Sequence, residues 1–590
     1  MQSTQEAVSI RAGRFRKISG SDLPAIATRE EAQRGPTSIS LSLLVLVTAV
    51  FVALAACGDP DDRMAAMGGD PDAETFSGEP PGGTLVVLAE REPDELNPLT
   101  YTSLPANEVA HLIFRSLARR DSTLSNFRPD LARSWEVSED GRILRLDLRD
   151  DVHWSDGEPV TAHDVVFTIE RQRDPATAST RQADVAGVAD VRALDDHTVE
   201  VEFAEPGPYE VNALLQVMPA PRHLLEDVEP SRLRGLPFGR TPVTNGMFRL
   251  IRWDAGSSIT LAANPDQPPP RPALDRIVIR FVPDVTTGMS ELLAGQADLL
   301  KLPADQRGRV AAEPRVELHT AARVRPAWLA WNVDREPVDD VRVRRAILMG
   351  IDREALVAGL FGEEGRMAPS PIPPELAEHS PEVEPIPFDP DGARALLEEA
   401  GWEVTDRGPI RRRDGEALRL EVDYIATDAV RRDVLVAVQA MLRRIGVDLT
   451  PRAYESTAWV DRLRSREFQG SFWGWGWAPG VAGTNAEMVF HSRSIPPAGP
   501  NFAGYHNPEV DELLDVVLRE FDEEVAREAW RNIEQALIDD AVYGPLYLDP
   551  ELYGVHQRFA GVRLWGVEWW EDVHEWHVPT NARLPRDRSR

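Results

Sequence analysis

Apolar and polar residues alternate with a period of two at Trp135 and Val137, and again at Leu144, Leu146 and Leu148. Arg145, Asp147 and Arg149 occupy the opposite face of the second run. Asp140-Gly141 supplies a tight turn between them, so the stretch predicts a half-buried hairpin. Asp156-Gly157 marks a second turn, and Thr161, three residues before Asp164, opens a helix with a capping box ahead of Val165, Val166 and Ile169. Further strands are predicted over 85–88, 248–253 and 277–281. Helical spacing covers 107–117, the run ending at Gly295, 390–400 closed by Gly401, 430–445 closed by Gly446, the segment after Asn507, and 530–540. Asp352 is placed as a helix N-cap, a structural role. Strand–helix alternation of this kind predicts a mixed α/β body. Internal repeats are not evident.

One apolar run, 39–56, breaks this pattern and ends in Leu54-Ala55-Ala56-Cys57. Its length fits either a membrane span or the core of a signal peptide. Small residues directly before the chain's single cysteine favour the second, with Cys57 lipidated after cleavage; a single-span anchor is the alternative. The 38 residues ahead are long for a leading region, as a start placed too far upstream would produce. Residues 58–83 have no apolar period and are rich in Gly, Pro, Asp and Glu, a composition that cannot offset its ordering entropy. They are expected to form a flexible tether reaching roughly 25–30 Å.

The 590 residues suit two or three domains, and 42% hydrophobic content with 15 Trp marks a folded chain. A net charge of −32 argues against a nucleic-acid partner, which would require a basic surface. Positive charge is almost all arginine, since Lys17 and Lys301 are the only lysines. A single cysteine excludes an intramolecular disulfide and a multi-cysteine metal site.

The stretch from Asp130 to Arg173 carries more than its fold content. Leu131-Ala132, Ser134-Trp135, Asp140-Gly141, the strand Leu144 to Arg149 and the run Asp156 to Val165 resemble the signature of the family 5 bacterial extracellular solute-binding proteins. These are the oligopeptide-, dipeptide- and nickel-binding receptors of ABC importers, and the resemblance extends from about Thr84 to Trp565. It implies a two-lobed periplasmic-binding-protein-like fold of type II, the large peptide-binding class, with two crossing hinge strands, 328–333 and 545–548. The implied division is a signal peptide with lipobox over 1–56, a lipidated tether over 57–83, a first lobe over 84–327 and a second lobe over 328–547. A small subdomain of the first lobe would cover about 116–235, 548–579 would return to that lobe, and 580–590 would be a frayed tail. The implied partners are a peptide or other small solute, the permease subunits and, through lipid, the membrane; the receptor would be an extracytoplasmic monomer.

The same resemblance assigns candidate ligand contacts. Tyr101, Thr102 and Ser103 would lie at the mouth of the cleft, and Asn245 belongs to a family turn, Thr244-Asn245-Gly246. Trp473, Trp475 and Trp477 alternate with glycine, which predicts large rings on one side of a strand with bare backbone between them. At least one of these rings is expected to be core. Trp475 matches the family's tryptophan, and three residues on, where peptide-binding members carry an Asp for the ligand's α-amino group, this chain has Ala478. A buried ammonium without a partner is expensive, so the substitution disfavours free peptide amino groups.

No enzyme is expected: the sequence holds no Gly-x-Ser-x-Gly, His-Glu-x-x-His or Walker loop, and neither cofactor nor metal is implied. His574 and His577 beside Glu571 and Asp572 could in principle hold a metal, but their near-terminal context predicts solvated side chains. The competing functions are a secreted α/β hydrolase and a receptor that senses a ligand without transport.

Overall fold

The predicted hairpin forms as strands Ala132–Ser138 and Ile143–Leu148, with Trp135 opposite Leu146 and Val137 opposite Leu144. Trp135, Val137, Leu144, Leu146 and Leu148 turn inward, as the period of two requires. Helix Ala162–Arg173 follows and closes its capping box, the Thr161 amide donating to Asp164 Oδ2 at 2.8 Å. The computed structural model describes 15–18 and 82–588, except 122, 123, 125, 304, 305, 322, 323, 363, 364, 550 and 565–568. Cys57, the apolar run and 58–81 of the tether lie outside the described residues; Gly82 and Gly83, expected as tether, are buried instead, the Gly83 amide donating to Asp275 at 2.9 Å.

Strands Val188–Ala193 and Thr198–Phe203 complete the hairpin's sheet. A strand at Phe15–Ile18, unexpected from the sequence, pairs antiparallel with Ala132–Ser138 at its edge. Cleavage after Ala56 would remove it. A seven-stranded mixed sheet is built around Thr84–Ala89, which runs parallel to both Arg276–Phe281 and Leu299–Leu302. Its outer strands include Phe248–Asp254 on one side and Val316–Ala321 on the other.

A third, six-stranded sheet carries Pro326–Trp331, Gly470–Gly474, Arg419–Ile425, Asp448–Tyr454 and Tyr543–Leu548. The chain passes between the seven- and six-stranded sheets at two points, from Ala321 to Pro326 and from Leu548 to Glu551. The incoming strand Pro326–Trp331 and the outgoing strand Tyr543–Leu548 are paired neighbours, so the two crossings lie side by side. Both strands are buried along their length.

The C-terminal segment departs from expectation. Instead of fraying, short turns form at Thr580–Ala582 and Pro585–Asp587. Asp587 accepts the Thr84 amide at 2.7 Å and pairs with Arg558 at 2.7 Å, while Arg558 and Arg586 both clasp buried Asp298. The reason is electrostatic: a buried arginine between two carboxylates compensates charges that would otherwise be costly. The residue carrying that compensation happens to lie near the chain's end.

Candidate functional site

The Trp/Gly stretch does not continue as one strand. Pairing stops at Gly474, where a β-carbon would stand 2.5 Å from the Pro326 carbonyl oxygen of the crossing strand. Gly474 is thus needed for the close approach of the incoming crossing. Trp473 is buried edge-on against Trp328, their centroids 5.4 Å apart, and Trp477 is buried beside Phe490 at 5.9 Å. Trp475 is half-buried in the loop beyond the strand, and Ala478 is exposed. One side chain organises this loop: Asn485 Oδ1 accepts both the Trp475 indole N–H at 3.3 Å and the Ala478 amide at 3.2 Å. The sequence does not single out Asn485, because a lone helical asparagine has no periodic signature. Glu487, the nearest carboxylate after the strand in sequence, is engaged by Arg493 Nε at 2.9 Å.

On the other side, Tyr101 is buried and its hydroxyl meets both Asn107 at 2.8 Å and Arg181 at 2.6 Å. Arg181 also donates to Asn107 Oδ1 at 2.8 Å and pairs with Asp184 at 3.3 Å. Tyr101, Arg181, Asp184 and Gln216 line one small pocket. Thr102 and Ser103 are committed locally: both hydroxyls donate to Asp94, at 2.7 and 2.6 Å, and Ser103 caps helix Leu104–Ile113. Burial would raise the Asp94 carboxyl, but these hydrogen bonds together hold it at about 2. Asn245 is fully buried and accepts the Arg115 amide at 3.0 Å, tying its turn to the end of that helix.

Helix Pro208–Leu215 connects the two sides. Gln216, directly after it, borders the Tyr101 pocket. Tyr209 enters the aromatic cluster that holds Trp473 and Trp477, accepting the Trp530 indole N–H at 3.2 Å and donating to Glu378 at 3.2 Å. Gly483 leaves room for its ring, since a β-carbon there would stand 2.2 Å away. Phe127 and Asn212 stand next to Gly480 in the same region. The Tyr101 pocket and the Trp475–Ala478 loop therefore border a common helix, whereas Thr102, Ser103 and Asn245 serve as local braces. Tyr209 and Arg181 escaped sequence reasoning because each acts through partners far along the chain.

The terminal histidine cluster is not solvated as expected. Asp572 and His574 are buried, and with Glu575 they bring ligand-type atoms within 4.8 Å of one another. Arginines occupy those carboxylates: Arg128 approaches Asp572 at 3.5 Å and Arg563 pairs with Glu575. Burial lowers His574 to about 3, so its ring is neutral at pH 7.

Two sheets joined by a pair of adjacent crossings, with an added small sheet on one side, define a two-lobed periplasmic-binding fold. The chain belongs to the bacterial extracellular solute-binding proteins, family 5, whose middle-region model matches residues 126–496. It is 26% identical over 551 residues to the oligopeptide-binding protein AppA of Bacillus subtilis, covering 91% of this chain and 99% of AppA. The solved structure of that AppA in complex with a nonapeptide is similar at a TM-score of 0.67 and 24% identity, covering 85% of this chain and 99% of that one. NikZ of Campylobacter jejuni, solved with Ni(L-His), is similar at a TM-score of 0.69 and 25% identity, covering 84% and 99%.

Proposed function

We propose that this protein is the solute receptor of an ABC importer, taking peptides or related amphipathic solutes between its lobes and delivering them to the permease. Lipid on Cys57 would hold it at the outer side of the membrane, with 58–81 as the tether. The observation that carries the proposal is the junction at helix Pro208–Leu215, where a first-lobe helix meets the loop holding half-buried Trp475 and exposed Ala478. A flat indole beside bare backbone suits stacking and main-chain hydrogen bonds to an extended solute. The known partners of relatives, a nonapeptide for AppA and Ni(L-His) for NikZ, bracket the range of solutes such a cleft accepts.

Opening would rotate the lobes about the paired crossings, and solute would shift the population toward the closed form only as far as it binds that form better. Exposed Ala478, with Glu487 occupied by Arg493, offers a solute ammonium no counter-charge in this loop. The favoured solutes are accordingly blocked or modified peptides, glycosides or other amphipathic molecules. Mass spectrometry of the purified receptor tests the proposal: a co-purified small solute is expected, and adding it back to stripped protein should lower the radius of gyration. Identical scattering with verified occupancy would refute closure.

A further inference from the structure

Beside the Tyr101 pocket, helix Leu104–Ile113 and the hairpin strands Ala118–Arg120 and Phe127–Pro129 border a second cavity. It has about 30 Å³ of space for water-sized groups and is walled by His111, Arg115, Arg119, Arg120, Asp130 and Glu571. Its donors outnumber its acceptors. Asp130 is buried and taken by Arg115, whose other terminal nitrogen donates to the Pro268 carbonyl at 2.6 Å. Arg119 comes no nearer to Asp130 than 3.8 Å, and Arg120 no nearer to Glu571 than 3.9 Å, both beyond hydrogen-bond range. Arg119 Nε and Nη1, and Arg115 Nε, are buried without a hydrogen-bond partner. His111 adds no charge here: burial lowers it to about 3, and the neutral ring donates from Nδ1 to the Asn107 carbonyl at 2.9 Å. Unmade donors on a largely buried guanidinium are costly enough to need a partner.

We propose that this cavity is a carboxylate subsite, receiving the acidic end of the solute that lies in the cleft and satisfying Arg119 Nε and Nη1. The volume sets the class, since one water-sized group needs about 10–15 Å³, leaving room for two oxygens but not the four of a phosphate. Gln216 lines both this cavity and the Tyr101–Arg181 pocket, so the two are neighbours and the acidic end would enter from that side. The subsite deepens the proposed receptor function and gives it a charge preference. The second-lobe loop lacks the acid that would hold an amine, while the first lobe offers surplus cations to an anion.

The test uses the processed receptor stripped of solute, titrated at pH 7 and constant ionic strength with sodium acetate, sodium chloride or sodium phosphate. Acetate is expected to raise the melting temperature by mass action, more than chloride or phosphate. Arg119→Gln should weaken acetate binding about 10- to 100-fold, as expected for losing a charged hydrogen-bond donor. Arg120→Gln, on the same wall, should weaken it in the same direction and serves where Arg119→Gln fails to fold. Equal shifts with all three anions, a larger shift with phosphate, or undiminished acetate binding in the folded variants would overturn the subsite. Acetate reports on the cavity whatever the natural solute is, so a receptor that refuses every peptide still tests it. Peptide binding without an acetate effect would retain the receptor and remove the subsite.

Discussion

Replacing Tyr209 by Phe removes one oxygen from the most specific contact between the helix Pro208–Leu215 and the second-lobe cluster. That hydroxyl accepts from Trp530 Nε1 and donates to Glu378, each at 3.2 Å, in a position where Tyr209 is 7% exposed. Phenylalanine keeps the ring in its place opposite Gly483, so packing is conserved and only polar partners are lost. Leaving a buried indole N–H and a carboxylate short of a partner costs about 2–3 kcal/mol. Because the contact joins the two lobes, that cost falls on the closed form alone. At 1.4 kcal/mol per tenfold, the closed-to-open ratio should fall by about 30- to 140-fold. Small-angle scattering of the solute-free protein measures this directly, with a larger radius of gyration expected for Tyr209→Phe than for the wild type. Unchanged scattering together with an unchanged melting temperature would refute the assignment of Tyr209 as the closure contact.

Cys57→Ser should move the protein from the membrane fraction to the soluble one and stop cleavage after Ala56; retained tight membrane association would favour a spanning anchor. Trp475→Ala should weaken solute binding by about 1–3 kcal/mol, measured by calorimetry with the co-purified solute, if the half-buried ring is an anchor. Burial pushes the Glu108 carboxyl up to about 7, against the opposing pull of Lys301 and Trp569. Its folded pKa is therefore raised, so the associated stability is present below the ordinary carboxylate range and is lost as pH rises through 7. Glu108→Gln should gain on the wild type by about 1–3 kcal/mol between pH 5 and pH 8, read from melting curves; a constant difference across that range would contradict the raised value.

Local logic was legible in the sequence wherever a residue's partner lies within a few positions. The hairpin register, the Thr161 capping box and the Asp352 N-cap all follow from such spacings. A helix boundary slipped where the capping residue carried a different expected role. Ser103, placed at the cleft by resemblance, starts helix Leu104–Ile113 three residues ahead of the expected 107. The Trp/Gly stretch shows the limit more clearly. Alternation predicts a strand through Trp477, but the strand ends at Gly474, opposite the start of its partner Pro326–Trp331, a neighbour some 150 residues away in sequence. Tyr209 is similarly mute as a residue type. Its role depends on Glu378, Gly483 and Trp530, which no local pattern connects. The anchored end at Asp587 and the buried His574 were missed for the same reason, since their partners Thr84, Arg558 and Arg128 come from distant segments.

Calorimetric titration of the stripped receptor with a di- to pentapeptide library, each member prepared with a free and an acetylated amino terminus, tests the central claim most directly. A cleft that stacks its solute on Trp475, with Ala478 in place of an amine-binding acid, should bind its preferred members at least as well after acetylation. Submicromolar binding of free peptides that disappears on acetylation would contradict that account, and would show that another carboxylate holds the amino group.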